Sequence, residues 1–577
     1  MSRPTAAPTQ LQKRLEDERP GRRWPGALLI AVAATGLACI TTFPLVLHLG
    51  SSIYGEPGDA TGGISIFWWW AYAVEHGKPL LDNTMWGAPF GAGWSRQPFA
   101  VLQLLLFTPL SVLLGPTVAY NLGVLSSFPL SAVFTYLLAR RLRIGPLPAS
   151  FSALAFTFLP YHQEKATGHM FQAHMELFPA LLWLLLRWRQ GGSRWNLVGA
   201  GAVLGLGIWI DYQFALILLF LTAVFFLVSL LAPHPVTVGL VARLRQHAVA
   251  VPITGAAVLP FLPPAVLLAV RPGSGGAALS LAQRSLDDID IYSVRPWEYL
   301  MPWRVNPLVP QAVRDFQAQH LHGSNGVEQA QVLGYSVIAL ALVAIIWFRP
   351  RFPVVLGVAV AAAGAALALP AHLHVFNLTL LGPAALLNHG LPFIRVYARF
   401  GVLVMLGATL LAGLGLATLH TGLDAHRLGW LAAAPFLVLA LEFNRLPPTY
   451  TTTLFPAPEE YRWLRDQPSG TLIEYPLLTP TNALEAASRQ YTLYQQVHLH
   501  PLFNGATPGS RADVVAPSLN PYYAEDVAAR LRSLGIRYVF VHRGDYLGAG
   551  YGLPQAVIGL RYLGSFDNGN VDAFLVE

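Results

Sequence analysis

Three clusters of ionisable side chains lie beside long apolar runs, where a charge needs solvent, a partner or a task. The first is Glu56-Pro57-Gly58-Asp59-Ala60. Its glycine and proline force a turn, and Asp59 would cap a helix running from Ile64 to His76. Taken alone, that cap accounts for the aspartate. The second runs from Tyr161 to Glu176 and holds three histidines, two glutamates and a lysine in sixteen residues. Imidazoles and carboxylates at this density could shuttle protons or ligate a divalent metal, with Glu164, His174 and Glu176 as the candidate ligands. The spacing matches no zinc signature, and a solvated loop is the plainer explanation. The third is Arg395-Val-Tyr-Ala-Arg399-Phe400. Two guanidiniums four residues apart share a helical face and suit a phosphate at the membrane interface, or equally the anchoring of lipid headgroups. Arg96, Lys165 and Arg284 could add charge to the same surface. Asp211, at the end of another apolar run, could face it too.

Other chemistries find no footing. A P-loop and a G-x-S-x-G elbow are both missing, and the glycines from Gly199 to Gly207 sit in an apolar run where they serve helix packing. The single cysteine, Cys39, excludes an internal disulfide and a CxxC zinc site. Basic residues exceed acidic ones by seven. No basic stripe with interleaved aromatics accompanies that excess, so the expected partner is anionic membrane lipid and not nucleic acid.

The elements that must position these clusters are transmembrane helices. The chain has 577 residues, 54% apolar and only 12% charged, and its mean hydropathy is positive, outside the range of soluble globular proteins. Residues 1–25 are polar and basic, and the run Gly26–Leu47 is too long for a signal peptide core, so it is a retained span with a cytoplasmic tail before it. Arg22-Arg23 is a positive-inside anchor in this reading, only loosely like a twin-arginine signal. Twelve segments qualify in all: Gly26–Leu47, Phe99–Leu114, Thr117–Leu138, Leu147–Pro160, Leu177–Trp188, Leu197–Ile210, Gln213–Leu231, Ala248–Val270, Gln331–Phe348, Pro353–Leu369, Val402–His420 and Leu428–Phe443.

Parity decides which of them cross. Basic clusters at Arg140 to Arg143, Arg187 to Arg194, Arg243 to Arg245, Arg349 to Arg351 and His426-Arg427 belong in the cytoplasm. Twelve crossings would invert all of them, so one segment stays on the outer surface or re-enters. Phe99–Leu114 is the candidate, because it is short, contains Pro109 and is separated from the next span by only Gly115-Pro116. Eleven spans remain within 26–443, and the outer loops are 49–116, 161–176, 271–329 and 371–400. All three ionisable clusters then face the same, extracytoplasmic side of a cell membrane.

Residues 444–577 follow on that side and read as a small α/β domain. Pro458-Glu459-Glu460 opens a helix, Thr471 to Pro476 and Ile536 to Val541 alternate as strands, and a helix is expected around Glu525 to Leu534. Asp567-Asn568-Gly569-Asn570 is a hairpin turn between Tyr562–Phe566 and Val571–Val576.

This order of features resembles the GT-C superfamily of membrane glycosyltransferases, which use polyprenyl-phosphate-linked sugars. The likeness lies in an acid soon after the first span (Gly58-Asp59), a span ending in Leu138-Ala-Arg-Arg141, and another closed by Leu159-Pro160-Tyr161 that leads into a second polar loop. Gly168-His169, then Phe178-Pro179-Ala180-Leu181, then Arg395 to Phe400, and a late strand at Leu534 to His542 extend it towards bacterial GT-C-like proteins, over nearly the whole chain. Where oligosaccharyltransferases place an acidic pair, this chain has His174-Met-Glu176, so metal dependence does not carry over. The resemblance implies inverting sugar transfer to an acceptor glycan, lipid or protein. Asp59 would be the base, Arg395 and Arg399 would meet the lipid phosphate, and Glu164, His169 and Glu176 would orient substrate or hold a metal. Tyr161, Lys165 and Arg96 would complete the binding surface, 99–114 would shape the site, and 271–329 would act as a lid. A lipid or glycan flippase is the main alternative, against which the charges gather at one boundary and not at the midplane. A non-catalytic scaffold would need no such polar clusters.

Overall fold

A computed structural model describes residues 23–93, 100–232, 239–262, 284–320, 322, 326–347, 351–375, 378–392, 394–446, 451–477, 485–506, 509–554 and 556–577. Each of the twelve apolar segments contains a helix. In chain order these are α1 (Arg23–Thr41), then α2 (Asp59–Glu75) from the first polar loop, α3 (Val101–Leu114), α4 (Pro116–Arg141), α5 (Pro146–Phe158), α6 (Pro160–Ala166), α7 (Leu177–Arg189), α8 (Trp195–Ile210), α9 (Tyr212–Leu231), α10 (Leu240–Ala256), α11 (Tyr335–Trp347), α12 (Phe352–Ala368), α13 (Gly401–Ala425) and α14 (Ala434–Glu442). Four helical stretches are both long and apolar enough to cross a bilayer: Trp24–Thr41, Pro116–Arg141, Tyr212–Leu231 and Tyr397–Ala425. The others are shorter. Helix α10 begins earlier than the apolar run and takes in Arg243 and Arg245, while 263–270 lie outside the described residues.

Proline and glycine set the boundaries. Pro116, Pro146 and Pro160 each occupy the first turn of a helix, where a missing N–H costs nothing. Pro160 also forces Leu159 into an extended conformation and separates α5 from α6. Helices α12 and α13 meet through glycine. A Cβ on Gly407 would lie 2.5 Å from the Gly357 carbonyl oxygen, so only glycine permits that approach. Helix α3 packs on α2 and α4 and leaves Leu105, Leu106, Leu113 and Leu114 exposed.

The polar segments are tied together. Strand β1 (Ser52–Tyr54), in the first loop, pairs antiparallel with Thr451–Thr453, in register Ser52 to Thr453. Short hairpins β2 (Asp82–Asn83) with β3 (Ala92–Gly93), and β4 (His372–Val375) with β5 (Leu378–Leu381), decorate two loops. Numbering Thr451–Thr453 as β6, the C-terminal sheet comprises β7 (Thr471–Tyr475), β8 (Ile536–His542), β9 (Leu560–Phe566) and β10 (Val571–Val576), in the order β7-β8-β10-β9. Only β7 and β8 run parallel. Helices Glu459–Arg465 and Val527–Ser533 occupy the places their sequence signals indicate. The segment after residue 444 does not stand apart. Its helix α16 (Glu485–His498), following α15 (Glu459–Arg465), packs on α2, with Thr492 Oγ1 3.2 Å from Ser65 Oγ, and Leu502 N donates to Met85 O at 2.8 Å. The pairing of β1 with β6 places residues 52–54 directly beside 451–453.

Candidate active site

Asp59 is the first residue of α2, and the residue capping that helix is Gly58, at φ 137°, with Thr61 Oγ1 accepting from its N–H at 3.2 Å. The expected capping role of Asp59 is therefore corrected. Thr61 satisfies the turn, and the carboxylate is left to project from the helix N-terminus, where the dipole favours its ionised form. His169 Nε2 lies 3.0 Å from Asp59 Oδ2, with 23% of the histidine and 42% of the aspartate side chain exposed. Burial and then the Lys165 ammonium push the His169 imidazole down to about 3. The ring is thus neutral at pH 7, and its contact with a carboxylate places the proton on Nε2. Its Nδ1 is buried and has no partner among the described residues.

The second cluster is not a solvated loop. Residues Pro160 to Ala166 form α6, every one of them buried, and Met170–Ala173 forms another turn of helix. Lys165 is fully buried, with its Nζ 2.5 Å from Oε1 of Glu328, itself 2% exposed, and 5.2 Å from the centre of the Tyr161 ring. Arg399 joins the same carboxylate, with Nη2 3.2 Å from Glu328 Oε1 and Nη1 3.2 Å from Asp211 Oδ2. Gln213 Oε1 accepts from Arg399 at 3.1 Å. Two cations and two anions thus close a largely buried, electrically balanced quartet, in which each charge has an opposite partner. Burial by itself would raise the Glu328 carboxyl, but Lys165 and Arg399 overcome it and hold it down at about 2. For Lys165 burial outweighs Glu328, lowering the ammonium to about 8.

The two arginines do not share a helical face. Val396 is non-helical, and only a 3-10 turn, Tyr397–Phe400, precedes α13. Arg395 instead reaches Asp288, with Nε 3.1 Å from Oδ2, stacks 4.2 Å from the Tyr292 ring centre, and keeps 43% of its side chain exposed. Arg284 comes within 3.9 Å of the same Asp288. Arg96 lies outside the described residues, as do residues 271–283 of the expected lid.

The three expected metal ligands do not converge. Glu164 Oε1 accepts from Trp303 Nε1 at 3.1 Å and lies 3.8 Å from Arg445 Nη1. His174 Nδ1 pairs with Glu176 Oε1 at 2.8 Å, against the Phe107 ring. Among the described residues, three potential ligands meet elsewhere: Asp287, Asp290 and His372 bring one ligand atom each within 4.8 Å of one another. His372 Nδ1 is already 2.6 Å from Asp290 Oδ2.

Glu328, the centre of the quartet, escaped the sequence reading. It stands immediately before the apolar run that begins at Gln331, and the boundary rule that singled out Asp211 applies to it equally. Asp59, His169, Lys165, Glu328, Arg399 and Asp211 come from five separate segments, which the contacts His169–Asp59, Lys165–Glu328, Arg399–Glu328 and Arg399–Asp211 bring together.

This architecture of apolar helices with a small C-terminal sheet is similar to that of solved structures that include an oligosaccharyltransferase and an arabinofuranosyltransferase. The structure superimposes on the arabinofuranosyltransferase AftD from mycobacteria with a TM-score of 0.54 at 15% identity, over 96% of this chain and 41% of that one. For ArnT from Cupriavidus metallidurans, solved bound to undecaprenyl phosphate, the TM-score is 0.50 at 12% identity, over 95% and 98% of the two chains. The apo oligosaccharyltransferase of Archaeoglobus fulgidus gives 0.50 at 12% identity, over 90% and 70%. At this identity the likeness establishes the fold. No protein-family model matches the sequence, and neither does any curated protein.

Proposed function

We propose that this chain is a membrane glycosyltransferase that moves a sugar from a polyprenyl-phosphate donor to an acceptor with inversion, using Asp59 as base. The observation that carries the reading is the carboxylate of Asp59, accessible at a helix N-terminus and oriented by His169, beside a buried charge quartet that holds the loops in place. In this reading the Asp59 carboxylate accepts the proton of an acceptor hydroxyl as that oxygen attacks the anomeric carbon. The bond from that carbon to the lipid phosphate breaks, and the phosphate leaves with the electron pair. Arg395, half exposed, can exchange Asp288 for a phosphate oxygen, while Arg399 would meet the phosphate only by giving up part of its contact with Glu328 or Asp211. Tyr161 and Lys165 belong to the supporting wall. Undecaprenyl phosphate bound to ArnT, a protein of the same fold, supports a lipid-phosphate donor.

The test is transfer of radiolabelled sugar by purified protein in lipid nanodiscs, using a panel of polyprenyl-phosphate sugars. Asp59→Asn should lose about 10²–10⁴-fold in rate, the usual contribution of a general base, with unchanged thermal unfolding. A wild type inert with every donor, or a mutant as fast as wild type, refutes the mechanism.

We further propose eleven crossings within residues 26–443, a cytoplasmic N-terminus, and residues 444–577 on the extracytoplasmic side with the active site. The support is the pairing of β1 with β6 together with the arginine clusters. Alkaline phosphatase fused after Gly145 or Gly192 should be inactive and a cytoplasmic reporter there active. The reverse at either position contradicts the topology.

A further inference from the structure

The segment from Gly326 to Val332 is a partition. Glu328 faces the charge quartet, whereas every other residue of the segment lines a cleft of about 220 Å³ on the opposite side. The far walls of the cleft are aromatic and amide-bearing: Trp297, Trp303, Phe316, Glu298 and Gln317. Trp297 and Phe316 are 50% and 46% exposed, while Trp303 is buried at the base, its ring N–H committed to Glu164. The indole therefore presents only its apolar surface to an occupant.

The polar groups are oriented in advance. Gln317 Nε2 donates to the Pro302 carbonyl at 2.7 Å and Gln329 Nε2 donates to the His322 carbonyl at 3.0 Å. These bonds fix which end of each amide is oxygen. Both amide oxygens are buried and accept no hydrogen bond among the described residues, a state that costs about 1–3 kcal/mol per group unless a donor arrives. Glu298 is held by His322 Nε2 at 2.6 Å through one oxygen, Oε1, and its Oε2 accepts from the Arg295 N–H at 2.9 Å. Exposed flat rings at the rim, with acceptor oxygens behind them, suit a ligand that offers apolar C–H faces and several hydroxyl donors at once. A sugar ring has both. A lipid chain would leave the acceptors unsatisfied.

We infer that this cleft binds a saccharide unit, placing it next to Glu164 and one partition away from Glu328 and Lys165. The inference rests on the glycosyltransferase reading for its purpose but not for its test. Two sources share the chemistry: a saccharide of the acceptor and the sugar carried by the lipid donor. The experiment measures quenching of tryptophan fluorescence in nanodisc-embedded Asp59→Asn protein, which needs no turnover. One arm titrates soluble trisaccharides of mannose, arabinose and galactose, and the other a short-chain polyprenyl-phosphoryl mannose. Saturable quenching in the first arm assigns the cleft to the acceptor, and quenching in the second arm alone assigns it to the donor sugar. In either case Phe316→Ala, on the wild-type tryptophan background, should weaken binding at least tenfold, and Trp297→Ala should weaken it equally by calorimetry. Both side chains are half exposed, so their removal leaves the fold in place. Absence of quenching by all probes at millimolar concentration overturns the inference, as does binding that both variants leave unchanged. Quenching without sugar transfer would retain the cleft and remove the proposed reaction.

Discussion

The converging loops and the C-terminal sheet both build a core outside the long apolar helices, and they do so with opposite materials. The sheet packs Ile473, Tyr475, Leu519, Tyr522, Leu531, Val539, Tyr546 and Phe574 into a core of its own, and its tyrosines resolve their hydroxyls locally, as when Tyr475 donates to the Leu519 carbonyl at 2.8 Å. A carboxylate buried there meets a hydroxyl, an imidazole or an exposed arginine: Glu474 accepts from Tyr461 at 2.7 Å and lies 2.8 Å from His542 Nε2. The loops instead bury Lys165, Glu328, Arg399 and Asp211 against one another. Apolar residues of similar volume would stabilise such a place at least as well. A chain that can build the first kind of core yet places the second kind beside Asp59 has charge there for chemistry or for precise loop registration.

That contrast is broken most directly at Glu328. Glu328→Gln removes the anion shared by Lys165 and Arg399 and leaves buried positive charge uncompensated, for an expected loss of about 3–5 kcal/mol. Thermal unfolding in detergent measures it. The same substitution carries a pH signature. The Glu328 carboxyl is held at about 2, below its ordinary 4.5, so its stabilisation is complete above pH 4.5 and is lost as the pH falls towards 2. The magnitude is on the order of 3 kcal/mol. Wild type should lose stability through that window, and Glu328→Gln should lose less. Equal acid sensitivity in both proteins would mean that the quartet does not bear on folding.

The same contrast explains what could be read from sequence. Elements of the sheet region are specified by neighbours in the chain. Pro458 and the two glutamates after it start a helix, alternation marks Ile536–His542, and Asp567-Asn-Gly-Asn makes the turn in which Asn568 adopts φ 53°. The twelve apolar helices were legible for the same reason, with ends displaced by a few residues except at α10. The candidate site was legible only in part. Asp59 and His169 were each visible as a charge beside a span, but their 3.0 Å contact joins two loops and has no local signal. The helical face assigned to Arg395 and Arg399 failed because spacing fixes a face only where the backbone is helical, and Val396 is not. Glu164, grouped with His174 and Glu176 by proximity in sequence, was claimed by Trp303 from a loop 139 residues away. The interlock of α16 with α2 was equally invisible, because it depends on two amphipathic faces meeting across more than four hundred residues.

The smallest effect sharpens the comparison from the sheet side. Arg543 lies 2.7 Å from Asp572, an ion pair of nearly the same length as that between Lys165 and Glu328. The arginine is 44% exposed, so water screens the pair, and Ser565 Oγ still donates to Asp572 at 2.8 Å once the guanidinium is gone. Arg543→Ala should therefore cost less than about 1 kcal/mol, with sugar-transfer activity unchanged, measured by the same thermal unfolding and transfer assays. Distance is nearly matched between the two pairs, whereas burial and the number of opposite charges are not, so a large difference between the two substitutions assigns the loop region's sensitivity to its buried, shared charge. A loss for Arg543→Ala as great as for Glu328→Gln would show that the sheet depends on its charges as much as the loops do, and the distinction between the two cores would fall.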